Sequence, residues 1–195
     1  AVESIPLVVD AVQRLESSGV AYRLPTHEEP RAEGGEDLYA RVSADGQFRA
    51  PAGAVQIFGE NGGDPERPGK HDPLDPLVWR AARGGEPRWD GGILGAGRPG
   101  WHIECAVIAE EYLGGMPTIT GGGSDLAFPH HTMSCSHLRT LGHGEQTSTA
   151  HVGMVGYEGN KMSKSRGNLV KVSELRVDGT DPTLVRVALA GHHYR

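Results

Sequence analysis

Apolar residues at Ile5, Val8, Val9, Val12 and Leu15 recur at the three-to-four spacing of a single helix face. Ser4 stands where an N-cap belongs, Pro6 falls in the first turn and Gly19 is placed to stop the run, so the spacing predicts a helix over 3–18. From Ala21 to Gly97 the pattern loosens. Strand-like stretches at 21–24 and 38–42 alternate with polar, Gly/Pro-rich connections at 26–36 and 60–73, which predicts an insertion of small strands and loops and not a doubly wound core. Beyond Pro99 the pattern tightens again. Ile103, Ala106, Val107, Ile108, Tyr112 and Leu113 suit a helix closed by Gly114-Gly115, followed by a strand over 116–120 that ends in three glycines. A helix over 128–141, a strand over 151–155 and a last helix capped by Asp181-Pro182 and running through Val185, Val187 and Leu189 complete the reading. Helix and strand alternating, with glycines at strand ends, predict an α/β fold with a parallel sheet and a site at its carboxyl ends.

Composition narrows the function classes. The 195 residues hold 29 glycines and 13 prolines, well above ordinary usage, which points to tight turns or to backbone that approaches a ligand closely. With 19 Lys+Arg against 25 Asp+Glu the formal charge is −6, which argues against nucleic-acid binding driven by bulk charge. No apolar run approaches the roughly 18 residues that span a bilayer, and no membrane partner is expected. Two cysteines, Cys105 and Cys135, are too few for a disulfide scaffold, and a cytoplasmic setting is the default expectation.

The most specific string is Lys161-Met162-Ser163-Lys164-Ser165, followed by Arg166-Gly167-Asn168. Five fixed positions, each about one in twenty, match by chance about once in a few million starts. Two ammonium groups on a loop with small hydroxyl residues suit the charge that builds up as pyrophosphate leaves; a solvated basic loop is the plain alternative. A second constellation is Trp101-His102-Ile103-Glu104-Cys105 with His130-His131. Thiolate and imidazole are zinc ligands, although one Cys and one His taken alone are weak evidence and a lone buried Cys reads better as a small apolar packing residue. The third is Gly121-Gly122-Gly123-Ser124-Asp125 after a strand, either a nucleotide-facing loop or a generic turn.

Three strings taken together carry a resemblance. The lysine loop resembles the KMSKS signature of class I aminoacyl-tRNA synthetases. The stretches 97–105 and 121–131 resemble the zinc region of cysteinyl-tRNA synthetases and of their close relatives, the cysteine ligases of mycothiol biosynthesis. The resemblance covers nearly the whole chain and implies a class I synthetase-type Rossmann-like catalytic domain. In both families the residues matching Cys105 and His130 bind one zinc ion, which binds the thiolate of the substrate cysteine. Trp101 would wall the cysteine pocket. Gly123, Ser124 and Asp125 would face the adenylate ribose, Met154 or Val155 would offer backbone groups to adenine, and Lys161 and Lys164 would stabilise the transferring phosphate of ATP, used with Mg2+. Ser134 occupies the position, four after His130, where the synthetase carries a glutamate ligand, and the ligases lack that glutamate. This favours an ATP-dependent ligase joining L-cysteine, through cysteinyl-adenylate, to the amine of glucosaminyl-inositol. A cysteinyl-tRNA synthetase with a tRNA acceptor is the alternative, and an inactive zinc- and nucleotide-binding module the second. Cys135 is a rival ligand expected to point away from the His130 face, and the role of His131 stays open.

By the same resemblance, 1–20 reads as a helix of the catalytic domain, 21–97 as a connective insertion, 98–170 as the second half of the Rossmann-like domain with the lysine loop, and 171–195 as the start of a helical region. No HIGH-type tetrapeptide and no N-terminal zinc cysteine occur, so the Rossmann-like domain is expected without its N-terminal half. The chain is expected to be a fragment, a gapped sequence or a degenerate paralogue, and the protein a monomer.

Overall fold

The computed structural model describes residues 2–26, 35–145 and 148–191. They form two compact units, one of residues 1–120 with 128–148, the other of residues 121–127 with 149–195.

In the first unit, helix α1 (Ile5–Ser17) turns Ile5, Val8, Ala11, Val12 and Leu15 inward. Ser4 holds the N-cap position but makes no side-chain cap, because a short 3-10 turn at Val2–Ser4 already brings its backbone into helical geometry. Strands β1 (Ala21–Pro25), β2 (Glu36–Ala40), β3 (Leu77–Ala81) and β4 (Gly97–Pro99) form a four-stranded antiparallel sheet in that order. β2 ends at Ala40, short of the expected Val42, because the Val42 N–H turns to the buried Asp75 carboxylate at 2.8 Å and a 3-10 turn begins. One core joins α1 and the sheet to helix α3 (Trp101–Leu113) through Leu15, Leu38, Val78, Trp79, Ile103 and Val107. Each such side chain contributes about 1.5–3 kcal/mol by leaving water.

A second cluster packs Phe58 of helix α2 (Ala54–Glu60) with Val42, Leu74, Phe128 and Met133. Helix α4 (Thr132–Thr140) starts four residues later than the spacing predicts. Phe128 precedes a proline and adopts an extended backbone (φ −138°, ψ 135°), as steric crowding by the following ring favours, which kinks the chain ahead of α4. Arg139 then locks α4 to the turn after β2 with paired bonds of 3.0 and 2.7 Å to the buried Asp45 carboxylate.

β5 (Ile119–Gly123) and β6 (Ser148–Val152) pair in parallel as a separate two-stranded sheet. Both are displaced by about three residues from the expected 116–120 and 151–155. Pro117 has no N–H to give a ladder, and the glycines fall inside the strand instead of ending it. The second unit continues with a hairpin of β7 (Gly156–Tyr157) and β8 (Asn160–Lys161), then α5 (Val172–Val177) and α6 (Pro182–Ala190). Asp181 caps α6 as expected, accepting the Thr183 N–H at 2.7 Å.

Candidate functional site

In the first unit the site is built on the start of α3. Gly100 precedes the helix and donates its N–H to Val78 O at 3.0 Å, so the chain runs tightly against β3. A Cβ at Gly100 would lie 1.9 Å from Leu77 O, which only glycine avoids. That close approach fixes the first turn, and with it Trp101, His102 and Cys105.

Trp101 bridges the two expected metal ligands. Its ring stacks on His130 with centroids 4.2 Å apart, and it stands one helical turn before Cys105, whose thiol it draws downward in pKa. The structure therefore gathers Trp101, Cys105 and His130 around one indole. His102, which the sequence reading did not single out, completes the group. It is buried, and its Nδ1 lies 3.0 Å from His130 Nδ1. Two neutral imidazoles share one proton there, and if His130 is the donor its Nε2 is left free to accept a ligand. Ser134 Oγ donates to His102 O at 3.2 Å, tying α4 to α3. His131 is half-buried with its ring 5.5 Å from that of His130. The signal that could have found His102 is its spacing, three residues before Cys105, one helical turn along the same face.

Burial keeps these groups neutral. It pushes His102 down to about 3, with His137 and His130 adding repulsion, and it lowers His130, helped by His131. The Cys105 thiol is pushed up by burial and by Glu104, against the lowering effect of Trp101. Cys135 is buried and likewise pushed up, first by burial, while it hydrogen-bonds Thr120. His137 was also missed. It is 2% exposed, its Nε2 has no hydrogen-bond partner among the described residues, and burial drives it down to about 4.

A soft thiol and a neutral imidazole suit zinc. Among the described residues, however, no group of three or more His, Cys, Asp or Glu side chains is gathered to hold a metal ion. Cys105 and His130 would supply part of a donor set and not the whole of one.

The expected nucleotide residues lie in the second unit. Gly123 leads into a 3-10 turn at Ser124–Leu126 that carries the exposed Asp125. A Cβ at Gly123 would meet Asp125 Oδ1 at 2.5 Å and Met154 Sδ at 3.3 Å, so these three residues form one tight cradle beside β6. Val155 follows Met154 directly, in the connection between β6 and β7. The lysine loop is a turn held by its own residues. Asn168 Oδ1 accepts the Ser163 N–H at 2.9 Å, the Ser163 and Ser165 hydroxyls are 3.3 Å apart, and Lys164 is exposed. The Lys161 backbone closes β8, and its side chain lies outside the described residues. No helix among the described residues is long and apolar enough to cross a membrane.

Comparison with known proteins identifies the family. Residues 1–195 match the family described as tRNA synthetases class I (C) catalytic domain. Three similar proteins bear the name L-cysteine:1D-myo-inositol 2-amino-2-deoxy-alpha-D-glucopyranoside ligase. The Cellulomonas flavigena protein is 56% identical, with 100% of this chain and 47% of that protein covered. The Xylanimonas cellulosilytica protein is 54% identical with the same coverage, and that of Sanguibacter keddieii is 53% identical over 100% of this chain and 49% of its own. The chain thus spans about half the length of the curated relatives it matches. Its α/β fold with a parallel β5–β6 pair, its lysine loop and its match from end to end place this chain in the class I (C) tRNA synthetase catalytic-domain family.

Proposed function

We propose that the gene product carrying this chain is an ATP-dependent ligase that activates L-cysteine as cysteinyl-adenylate and transfers it to the amine of glucosaminyl-inositol. The observation that carries this reading is the cluster of Trp101, Cys105, His102 and His130, a set of side chains suited to a sulfur ligand, within a chain whose half-identical relatives are named as ligases of L-cysteine with that amino sugar.

In the first step a cysteine carboxylate oxygen attacks the α-phosphorus of ATP, the bond to the bridging oxygen breaks and pyrophosphate leaves. Lys164 and Lys161 would neutralise charge on the departing phosphates, where preorganised cations act most strongly. Gly123 lets Asp125 sit close to the backbone, so that its carboxylate can accept both ribose hydroxyls, with Ser124 beside it. Backbone groups of Met154 and Val155 would bind adenine. In the second step the neutral amine attacks the acyl carbon, an amide forms, AMP leaves with the electrons of the cleaved C–O bond, and the amine releases its proton.

Trp101 would wall the cysteine side chain, with Cys105 and His130 beneath it. Zinc held by Cys105, His130 and a further donor would supply a bond to the substrate thiolate, which serine cannot imitate. ATP would act with Mg2+, and the protein would work as a cytoplasmic monomer.

The test supplies purified full-length gene product with ATP, cysteine and either acceptor. AMP release that requires both cysteine and glucosaminyl-inositol supports the reading. The family description itself favours a second reading, a cysteinyl-tRNA synthetase. Consumption of the adenylate by tRNA alone would establish that one instead.

A further inference from the structure

A cavity of about 360 Å³ opens beside Trp101 and His102 in the first unit. It falls in the size range of small-molecule sites, about 300–1,000 Å³. Asn61 and Asp64 line one side, and Arg80 of β3 and Arg98 of β4 line another.

The charges here are paired and held. Arg80 Nη1 binds both Glu86 oxygens at 3.1 and 3.0 Å, and Arg98 Nη2 lies 3.4 Å from the same carboxylate. Asp64 Oδ1 accepts from the almost fully buried Lys70 ammonium at 3.1 Å, and its other oxygen accepts from the Tyr39 hydroxyl. The wall is thus a set of fixed donors and acceptors with little uncompensated charge. A polyanion would need cations free of carboxylates, and an apolar ligand would leave these polar groups unpaired. A ligand rich in hydroxyl groups satisfies both guanidinium donors and carboxylate acceptors. Trp101 adds an aromatic surface, 52% exposed, on which the C–H face of a sugar ring can lie. Trp101 and His102 also belong to the cluster with Cys105 and His130, so a molecule in the cavity sits next to the place where the cysteine acyl group would be held.

We propose that this cavity is the acceptor subsite and takes a polyhydroxylated amino sugar, with Arg98, Asn61 and Asp64 bonding its hydroxyls. The inference rests on the ligase reading and adds where the second substrate binds.

The test uses Arg98→Ala and Asn61→Ala in the full-length gene product. Arg98 is 41% exposed and its ion pair with Glu86 is 3.4 Å long, so its loss costs the fold little. Two quantities are read: KM for glucosaminyl-inositol, and cysteine-dependent ATP–pyrophosphate exchange without acceptor. The expected result is an acceptor KM raised about tenfold or more in Arg98→Ala and severalfold in Asn61→Ala, with exchange within twofold of the parent. An acceptor KM unchanged in both variants overturns the subsite while leaving the ligase reading intact. Loss of exchange also overturns it, by placing these residues in the activation half-reaction. A parent protein that couples cysteine to tRNA and not to the amino sugar removes the ligase reading itself, and the subsite with it.

Discussion

Substitution of Gly123 by alanine isolates one contact of the proposed nucleotide site. The backbone there is ordinary for any residue (φ −66°, ψ 153°), so alanine brings no conformational strain. What it brings is a Cβ 2.5 Å from Asp125 Oδ1 and 3.3 Å from Met154 Sδ. A carbon and an oxygen rest about 3.4 Å apart, close to the contact distances at which dispersion is optimal, so the carboxylate must retreat by about 1 Å. Asp125 is exposed and the tip of its side chain can yield, which holds the cost to the fold below about 1 kcal/mol. The ribose hydroxyls cannot follow. Hydrogen bonds to a charged group are worth about 1.5–3 kcal/mol, and a 1 Å displacement takes them outside the bonding range. KM for ATP in cysteine-dependent ATP–pyrophosphate exchange should therefore rise about tenfold to a hundredfold, with a melting temperature close to that of the parent. Asp125→Asn should show a loss of the same order, and the double variant should be no worse than the more damaged single, because both remove the same interaction. A KM for ATP within twofold of the parent in Gly123→Ala, or full additivity in the double variant, would refute the assignment of this cradle to the ribose.

Lys164→Ala should lower the rate of adenylate formation about a hundredfold or more while leaving KM for ATP nearly unchanged, if its charge acts on the departing pyrophosphate as proposed; single-turnover quench flow checks this, and normal adenylate formation rejects the role. Elemental analysis of the full-length gene product should find about one zinc per chain, and Cys105→Ser should lose most of it; equal metal content in both would dismiss Cys105 as a ligand. Acid should destabilise the first unit. His102 and His137 are held at about 3 and about 4, below the usual 6.5, so the unfolded chain binds more protons and stability falls as pH drops below about 6.5. Between pH 7 and pH 5 each should cost about 2 kcal/mol, read as a falling urea midpoint, and His137→Leu should remove about half of the effect; a midpoint constant over that interval contradicts it.

The elements most legible in the sequence are those whose periodicity and boundaries agree. In α1 and α6 the apolar spacing and the proline of the first turn point the same way, with Gly19 as the stop for α1, and the helices form within a residue or two of where they are expected. Around the site, local and tertiary preferences conflict. Spacing alone would begin α4 at Phe128, yet the constraint imposed by Pro129 extends Phe128 and kinks the chain ahead of the helix, where His130 stacks against Trp101. Cys105 and His130 could be read from their strings, since thiol and imidazole advertise metal chemistry by residue type. His102 is marked in the sequence by its spacing from Cys105 alone, because a histidine inside an apolar helix face looks like packing until its neighbour across the helix pair is known, and the 3.0 Å contact with His130 joins residues 28 apart. The same limit hides the cavity beside Trp101. Asn61, Asp64, Arg80 and Arg98 belong to stretches that read as loop and small strand, and none carries a motif. Only the antiparallel pairing of β3 with β4, with Arg80 opposite Arg98, sets the two guanidinium groups beside one carboxylate, Glu86. Residue type can thus announce a candidate metal or nucleotide site, whereas the proposed subsite for a hydroxyl-rich molecule is distributed over ordinary polar side chains and becomes visible when the sheet has brought them to one wall.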